Sequence, residues 1–262
     1  MFLNSVVIVL REVLEAAVLV SALLALARNA RLGNGWLWMA LPIATCLVLL
    51  YAYLLAVITD AMDGAGQEVI NASLQVGVYL LLLPILVAGC SPVGSQRRRM
   101  LSALMTVAVT FAIVRECAEV HIYVRAFAAL QEHASAVWAG SALGIGIGVS
   151  AGVLVYAALR ALPARWSQQG CQAMLALIGA GMVMQATMLL EQVDWLPDQA
   201  PVWDSSPWLS EQSFMGELLY AVLGYEATPG VLQVTLYLGS LLVAAGALWW
   251  GWKERVKHAL PE

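Results

Sequence analysis

Seven stretches of this chain run for about twenty residues or more with few charges, and that feature leaves little choice of structure. They cover about 2–27, 36–58, 69–90, 101–124, 136–160, 170–192 and 231–252. Some 20 apolar residues are what a helix needs to cross the hydrocarbon of a bilayer. Backbone groups inside hydrocarbon must also be satisfied within the segment, which a helix achieves. The pattern predicts an all-α polytopic membrane protein, with residues 1–262 forming one transmembrane domain of seven spanning helices. Composition agrees, because Asp, Glu, Lys and Arg make up 11% of the chain, against about 25% in soluble domains. The first run is expected to persist as a helix rather than be a cleaved leader. Arg11, Glu12 and Glu15 fall where a leader would have its uncharged stretch.

Basic residues set the expected orientation. Of the 13 Lys and Arg, Arg28, Arg31, Arg97, Arg98, Arg99, Arg160, Arg165, Lys253, Arg255 and Lys257 fall on one side if seven spans are threaded. Arg11 and Arg115 lie inside runs, and Arg125 lies on the opposite side. The positive-inside bias then places the N-terminus outside and the C-terminus in the cytoplasm. The outer side is acidic: Asp60, Asp63, Glu68, Glu132, Glu191, Asp194, Asp198, Asp204, Glu211, Glu217 and Glu226 all fall there. Such a mouth concentrates cations.

Most loops are short; the exception is the outer segment 194–230. Within it Ser210 and Glu211 precede an apolar stripe of Phe214, Leu218, Leu219 and Val222, which predicts a helix capped by Ser210 that lies on the interface or dips in. The fifth run carries Gly140, Gly144, Gly148 and Gly152 at a four-residue period, a groove into which another backbone can settle. Cys46, Cys90, Cys117 and Cys171 are scattered, form no CxxC, and read as packing thiols. Met182, Met184 and Met188 read as core packing, and His121 as structural.

Two of the apolar runs contain the same charged motif. Arg-Glu-x-x-Glu occurs as Arg11-Glu12-Val13-Leu14-Glu15 and as Arg115-Glu116-Cys117-Ala118-Glu119. Charges in mid-membrane are costly and mark function. On a helix the two glutamates share a face, and each arginine can pair with the glutamate four residues on. With two spans between them, the motif helices run in opposite directions, so segments 1–3 and 4–6 would be inverted repeats with the seventh helix added. Transporters built this way hold substrate near the midplane between the repeats. Facing motifs gather four carboxylates and two guanidiniums, leaving a charge of −2 that calls for protons or a cation. Carboxylates suit hard cations such as Fe(III), Mg, Ca or Mn. Glu68, Asn71 and Gln75, at i, i+3 and i+7, could line an entry path.

These residues resemble the oxidase-dependent iron transporter family, which comprises the fungal high-affinity iron permeases and the bacterial EfeU-type permeases. The resemblance rests on the paired motifs in the first and fourth helices, on seven spans, and on the stretch at 201–238. It implies a non-enzymatic permease of the bacterial inner membrane. Iron would be its transported substrate rather than a bound cofactor, supplied by a ferroxidase or a periplasmic iron-binding protein. Glu12, Glu15, Glu116 and Glu119 carry over as iron ligands, with Arg11 and Arg115 as the motif arginines. The family's usual Gly-Leu filler is replaced here by Val13-Leu14 and Cys117-Ala118, and Asn71 stands where a second acid is common. The rival readings are a permease for another hard divalent cation such as Mn, and a non-transport membrane subunit.

Overall fold

The computed structural model describes residues 1–90, 95–128, 134–197, 199–211 and 213–259. Glu132, Asp198 and Glu262, and the side chains of Phe214 and Lys257, lie outside the described residues. The described residues form helices and the loops between them: α1 (Phe2–Asn29), α2 (Gly35–Asp60), α3 (Gly66–Gly89), α4 (Ser95–Ala128), α5 (Ala134–Ala161), α6 (Ala164–Gln192), α7 (Phe214–Leu223) and α8 (Val231–Ala259), with a 3-10 turn at Ala61–Gly64. The seven long helices fall on the seven apolar runs. Six of them, α2 to α6 and α8, are long and apolar enough to cross a membrane. α1 is as long, at 28 residues, but carries Arg11, Glu12 and Glu15 in its middle.

Burial separates an inner from an outer set. In their most apolar stretches α4 and α6 are each 56% buried and α3 44%, against 11% for α2, 22% for α5 and 17% for α8. α1 belongs to the inner set, with Leu19, Ala22, Leu23 and Ala27 fully enclosed. The outer helices turn side chains such as Leu49, Tyr53, Val153, Leu154 and Leu242 outward. Those are the surfaces a bilayer would cover.

The helix pairings follow a simple rule. α1 packs along α5 and α4 along α2; α1 touches α6 and α4 touches α3; α1 meets α4, and α3 meets α6. α2 meets α3 as α5 meets α6, and α8 rests on both α3 and α6. Exchanging α1–α3 with α4–α6 leaves this set of pairings unchanged. Three helix pairings break the rule: α4 with α5, and α7 with both α1 and α6.

Chain directions come from individual contacts. Ser5 Oγ bonds Tyr123 Oη at 2.7 Å while Arg115 bonds Glu12, so α1 and α4 are antiparallel. Gln75 bonds Gln185 and Gln168 bonds the Gly89 carbonyl, so α3 and α6 are antiparallel too. α5 runs parallel to α1, with Gly140 against Phe2 and Ser5 and Gly152 against Ala17. This is the glycine groove read from the sequence. A Cβ at Gly144 would sit 2.7 Å from the Val6 carbonyl oxygen, so only glycine permits this backbone contact. Ser21 Oγ adds a hydrogen bond to the Gly152 carbonyl at 2.7 Å.

α7 departs from expectation. Its cap is Ser213, whose Oγ accepts from the Gly216 N–H at 3.0 Å, not Ser210. The Glu211 carboxylate is drawn away to accept from the Ala227 N–H at 2.7 Å. The helix does not lie on the surface: Ala221 is buried in the core, with Leu218 and Val222 packed against it. Gly224, at φ 67°, ends α7 in the left-handed conformation that glycine adopts freely. There its backbone meets α6, where a Cβ at Gly181 would lie 2.9 Å from Gly224 N.

Candidate functional site

The two charged motifs meet in the middle of the inner helices. They do so because α1 and α4 cross in opposite directions at matching depth. The center of the cluster is a guanidinium. Arg115 Nη1 lies 2.6 Å from Glu116 Oε2, 2.8 Å from Glu15 Oε2 and 3.4 Å from Glu12 Oε2, and Nη2 lies 3.0 Å from Glu119 Oε1. One arginine thus holds all four motif glutamates. Glu12, Glu15, Arg115 and Glu116 are each at most 4% exposed, and the Glu119 side chain is 27% exposed.

Arg11 has different company. Its Nε stands 3.9 Å from Glu12 Oε1 and 3.8 Å from Glu15 Oε1, beyond hydrogen-bond range, and makes no hydrogen bond. Its guanidinium carbon sits 3.8 Å from the center of the Tyr220 ring on α7. Sequence reasoning missed Tyr220, because its segment reads only as an amphipathic helix on the interface or dipping in. The place of Tyr220 between Leu219 and Val222, inside the stripe expected to lie on the interface or dip in, was the available signal.

Two fixed positive charges against four carboxylates leave the −2 expected from the sequence. Glu15 Oε1 and Glu116 Oε1 are buried without a hydrogen-bond partner among the described residues. Buried acceptors of this kind are costly unless something supplies positive charge. Among the described residues no three His, Cys, Asp or Glu side chains stand in an arrangement that could hold a metal ion. The carboxylates are gathered on Arg115 instead.

A cavity of about 390 Å³ reaches this cluster from one end of the molecule. Its walls include Glu68 and Asn71 of α3, Glu12 of α1, and Glu119, Tyr123 and Phe127 of α4. Asn71 Nδ2 donates to Glu119 Oε1 at 3.4 Å. Two of the three entry candidates, Glu68 and Asn71, therefore line one cavity. Gln75 does not; it is buried one turn deeper, donating from Nε2 to Gln185 Oε1 at 2.7 Å. Beyond Arg115 the path is closed by packed aliphatic side chains, among them Leu19, Leu23, Leu82, Leu86, Leu101 and Met105. At that far end Arg28 and Arg160 line a cavity of about 170 Å³ and Arg165 and Arg255 another of about 400 Å³, both beside the start of α6 and neither walled by a motif residue. The molecule therefore has an acidic end that opens to the cluster and a basic end that is shut.

The remaining candidates stand apart from the cluster of motif carboxylates. Met182 belongs to the apolar core, while Met184 lines an apolar cavity among α6, α7 and α8. Cys46 and Cys117 are exposed on the surface of the bundle, contrary to the expectation that all four thiols pack inside. Cys90 and Cys171 are buried near the basic end, where Gln172 Nε2 reaches Cys90 Sγ at 3.0 Å. His121 Nε2 is buried without a hydrogen bond and does not appear among the walls of the acidic-end cavity.

Neither a curated protein nor a solved structure matches the chain. The model of one family, described as the iron permease FTR1 family, matches residues 3–252. That span takes in both charged motifs, the cavity walls and all but the last turns of α8. The chain belongs to the iron permease FTR1 family, and is a multi-pass membrane protein whose substrate is iron.

Proposed function

We propose that this chain is a seven-span inner-membrane permease that takes Fe(III) from the acidic end and passes it through the paired motifs to the cytoplasm. The observation that carries this reading is the cavity that opens at Glu68 and ends at Glu12 and Glu119, against the guanidinium of Arg115. The polar groups a hard cation meets there are chiefly carboxylates and amides, whose oxygens are the donors such ions favor. Arg115 occupies the place where positive charge is most needed. It acts as a tethered stand-in for the cargo, and iron binding exchanges one cation for another within the same four carboxylates. Glu12, Glu15, Glu116 and Glu119 are then the ligands, and Glu68 and Asn71 the approach.

The basic end is the cytoplasmic one, as the positive-inside rule requires. The conformation is then outward-open, with the apolar side chains below Arg115 as the inner barrier. The pairing of helices supports a 3+3 inverted repeat, because it survives exchange of α1–α3 with α4–α6. Release inward follows when the α1–α5 pair shifts against the α2–α4 pair, each pair taking one helix from either repeat. The iron donor at the acidic face is a ferroxidase or a periplasmic iron-binding protein.

Uptake of radioactive iron tests this in cells lacking their own importers. Glu12→Gln, Glu15→Gln, Glu116→Gln and Glu119→Gln are each compared with wild type, with membrane abundance measured for each. The expected result is loss of uptake at normal abundance. Wild-type uptake in all four variants, or losses that track loss of protein, would overturn the assignment. Competition by Mn at equal concentration separates iron from other hard cations.

A further inference from the structure

The two motifs have the same internal spacing, yet their arginines pair differently. Arg115 closes on the glutamate four residues ahead, with Nη2 at 3.0 Å from Glu119 Oε1. Arg11 stops 3.8 Å short of the equivalent Glu15. Helix geometry permits the closed pair in both cases. The difference lies in what faces each arginine from outside its own helix. Arg115 faces α1 and its carboxylates. Arg11 faces α7, where the Tyr220 ring lies 3.8 Å from the guanidinium carbon. Glu217, one turn earlier on α7, adds a favorable charge interaction with Arg11.

We infer that Tyr220 is a positioning residue for cation capture, holding Arg11 off Glu12 and Glu15 so that the α1 carboxylates remain available to the cargo. The inference rests on the transport reading above. An aromatic face suits this task because it attracts a guanidinium without offering it a charge to neutralize. The seat of α7 is rigid enough to hold the ring in place. Its C-terminal Gly224 meets α6 backbone to backbone at Gly181, and Ala221 and Val222 pack into or against the core. Without the ring Arg11 is free to close on Glu15 as Arg115 does on Glu119. The α1 motif would then be held by its own arginine as well as by Arg115, and an entering cation would have two guanidiniums to displace.

The test compares Tyr220→Phe and Tyr220→Leu, each alone and in an Arg11→Met background, in the iron-uptake assay with membrane abundance measured. Tyr220→Phe keeps the ring and is expected to hold the apparent KM within about twofold, whereas Tyr220→Leu raises it about tenfold with little change in maximal rate, the scale of a partly buried cation–π contact. In the Arg11→Met background Tyr220→Leu is expected to add nothing, because no guanidinium remains to close on Glu15. The inference is overturned if Tyr220→Phe and Tyr220→Leu behave alike, or if Tyr220→Leu is equally harmful without Arg11. A second measurement does not depend on transport. The thermal midpoints of the same purified variants in detergent should show non-additive losses at positions 11 and 220, and additive losses there would also overturn it. Wild-type protein that takes up no iron would refute the transport reading instead, leaving the thermal cycle to decide whether Tyr220 holds Arg11.

Discussion

The α1 and α4 motifs are alike in sequence and unlike in place. Arg115 is 4% exposed and touches every motif glutamate. Arg11 has a side chain 31% exposed, touches none of them within hydrogen-bond range, and stacks on Tyr220. The difference arises from the one helix that breaks the exchange of halves. α7 packs on α1 and α6, and among the described helices nothing equivalent packs on α4 and α3. A repeated motif therefore fixes which groups are present, while the unrepeated element decides what each copy does.

The sharpest way to break the comparison is to remove each arginine in turn. Arg115→Leu leaves four carboxylates around an empty center and is expected to cost about 3–5 kcal/mol, the usual price of stranding buried charge. Arg11→Leu gives up long, partly exposed pairs and one ring contact, and is expected to cost about 1 kcal/mol. Membrane abundance and the thermal midpoint in detergent should both separate the two. Equal losses would mean the motifs are interchangeable after all.

A smaller effect is expected from the support behind the α1 motif. Gly144→Val places side-chain atoms where even a Cβ would lie 2.7 Å from the Val6 carbonyl oxygen, and is expected to cost about 2–3 kcal/mol through overpacking. Gly146→Ala, on the open side of the same helix with nothing within 4 Å, is the control and should leave the midpoint unchanged. A harmless Gly144→Val would show that α1 does not depend on its contact with α5.

The smallest effect concerns the loop after α7, beside the α1 motif. Burial, then the hydrogen bond and charge of Glu211, then the charge of Glu191 push Glu226 from its ordinary 4.5 up to about 7, with Arg11 pulling the other way. The folded loop thus holds a proton that the unfolded chain releases. Its stabilization is complete below about 4.5 and is lost as pH rises through about 7. Amide exchange at Tyr225 and Ala227, corrected for intrinsic rates, is expected to quicken over that window in wild type and to stay flat in Glu226→Gln.

Much of this molecule was legible in its sequence for definite physical reasons. Hydrocarbon tolerates few backbone solutions, so the apolar runs at 2–27 through 231–252 returned as seven long helices. Glycine at a four-residue period has one common use in such helices, and α5 puts it to that use against α1. The motif spacing foretold that the carboxylates would share faces. It could not foretell that one guanidinium would gather all four, because that depends on the lateral rotation of α1 and α4. Nor could it place Gln75 on Gln185 rather than beside Asn71, since the partner sits 110 residues away on α6. The sequence left α7 either on the interface or dipping in, and could not choose between them for a different reason. A ten-residue helix with Glu217 in its first turn carries no length signal for membrane depth, and its burial comes from Gly181 and Gly224 allowing close approach.

The glycine contact of α5 with α1 has a mechanical meaning. Where backbones touch directly there are no side chains to slide, so α1 and α5 form a single beam carrying Glu12 and Glu15. Glu116 and Glu119 ride on the separate beam of α4 and α2. The carboxylates divide two and two between the beams. On the proposed path, opening the basic end would shear one beam past the other, and iron would be passed between two pairs of glutamates rather than carried in one fixed cage.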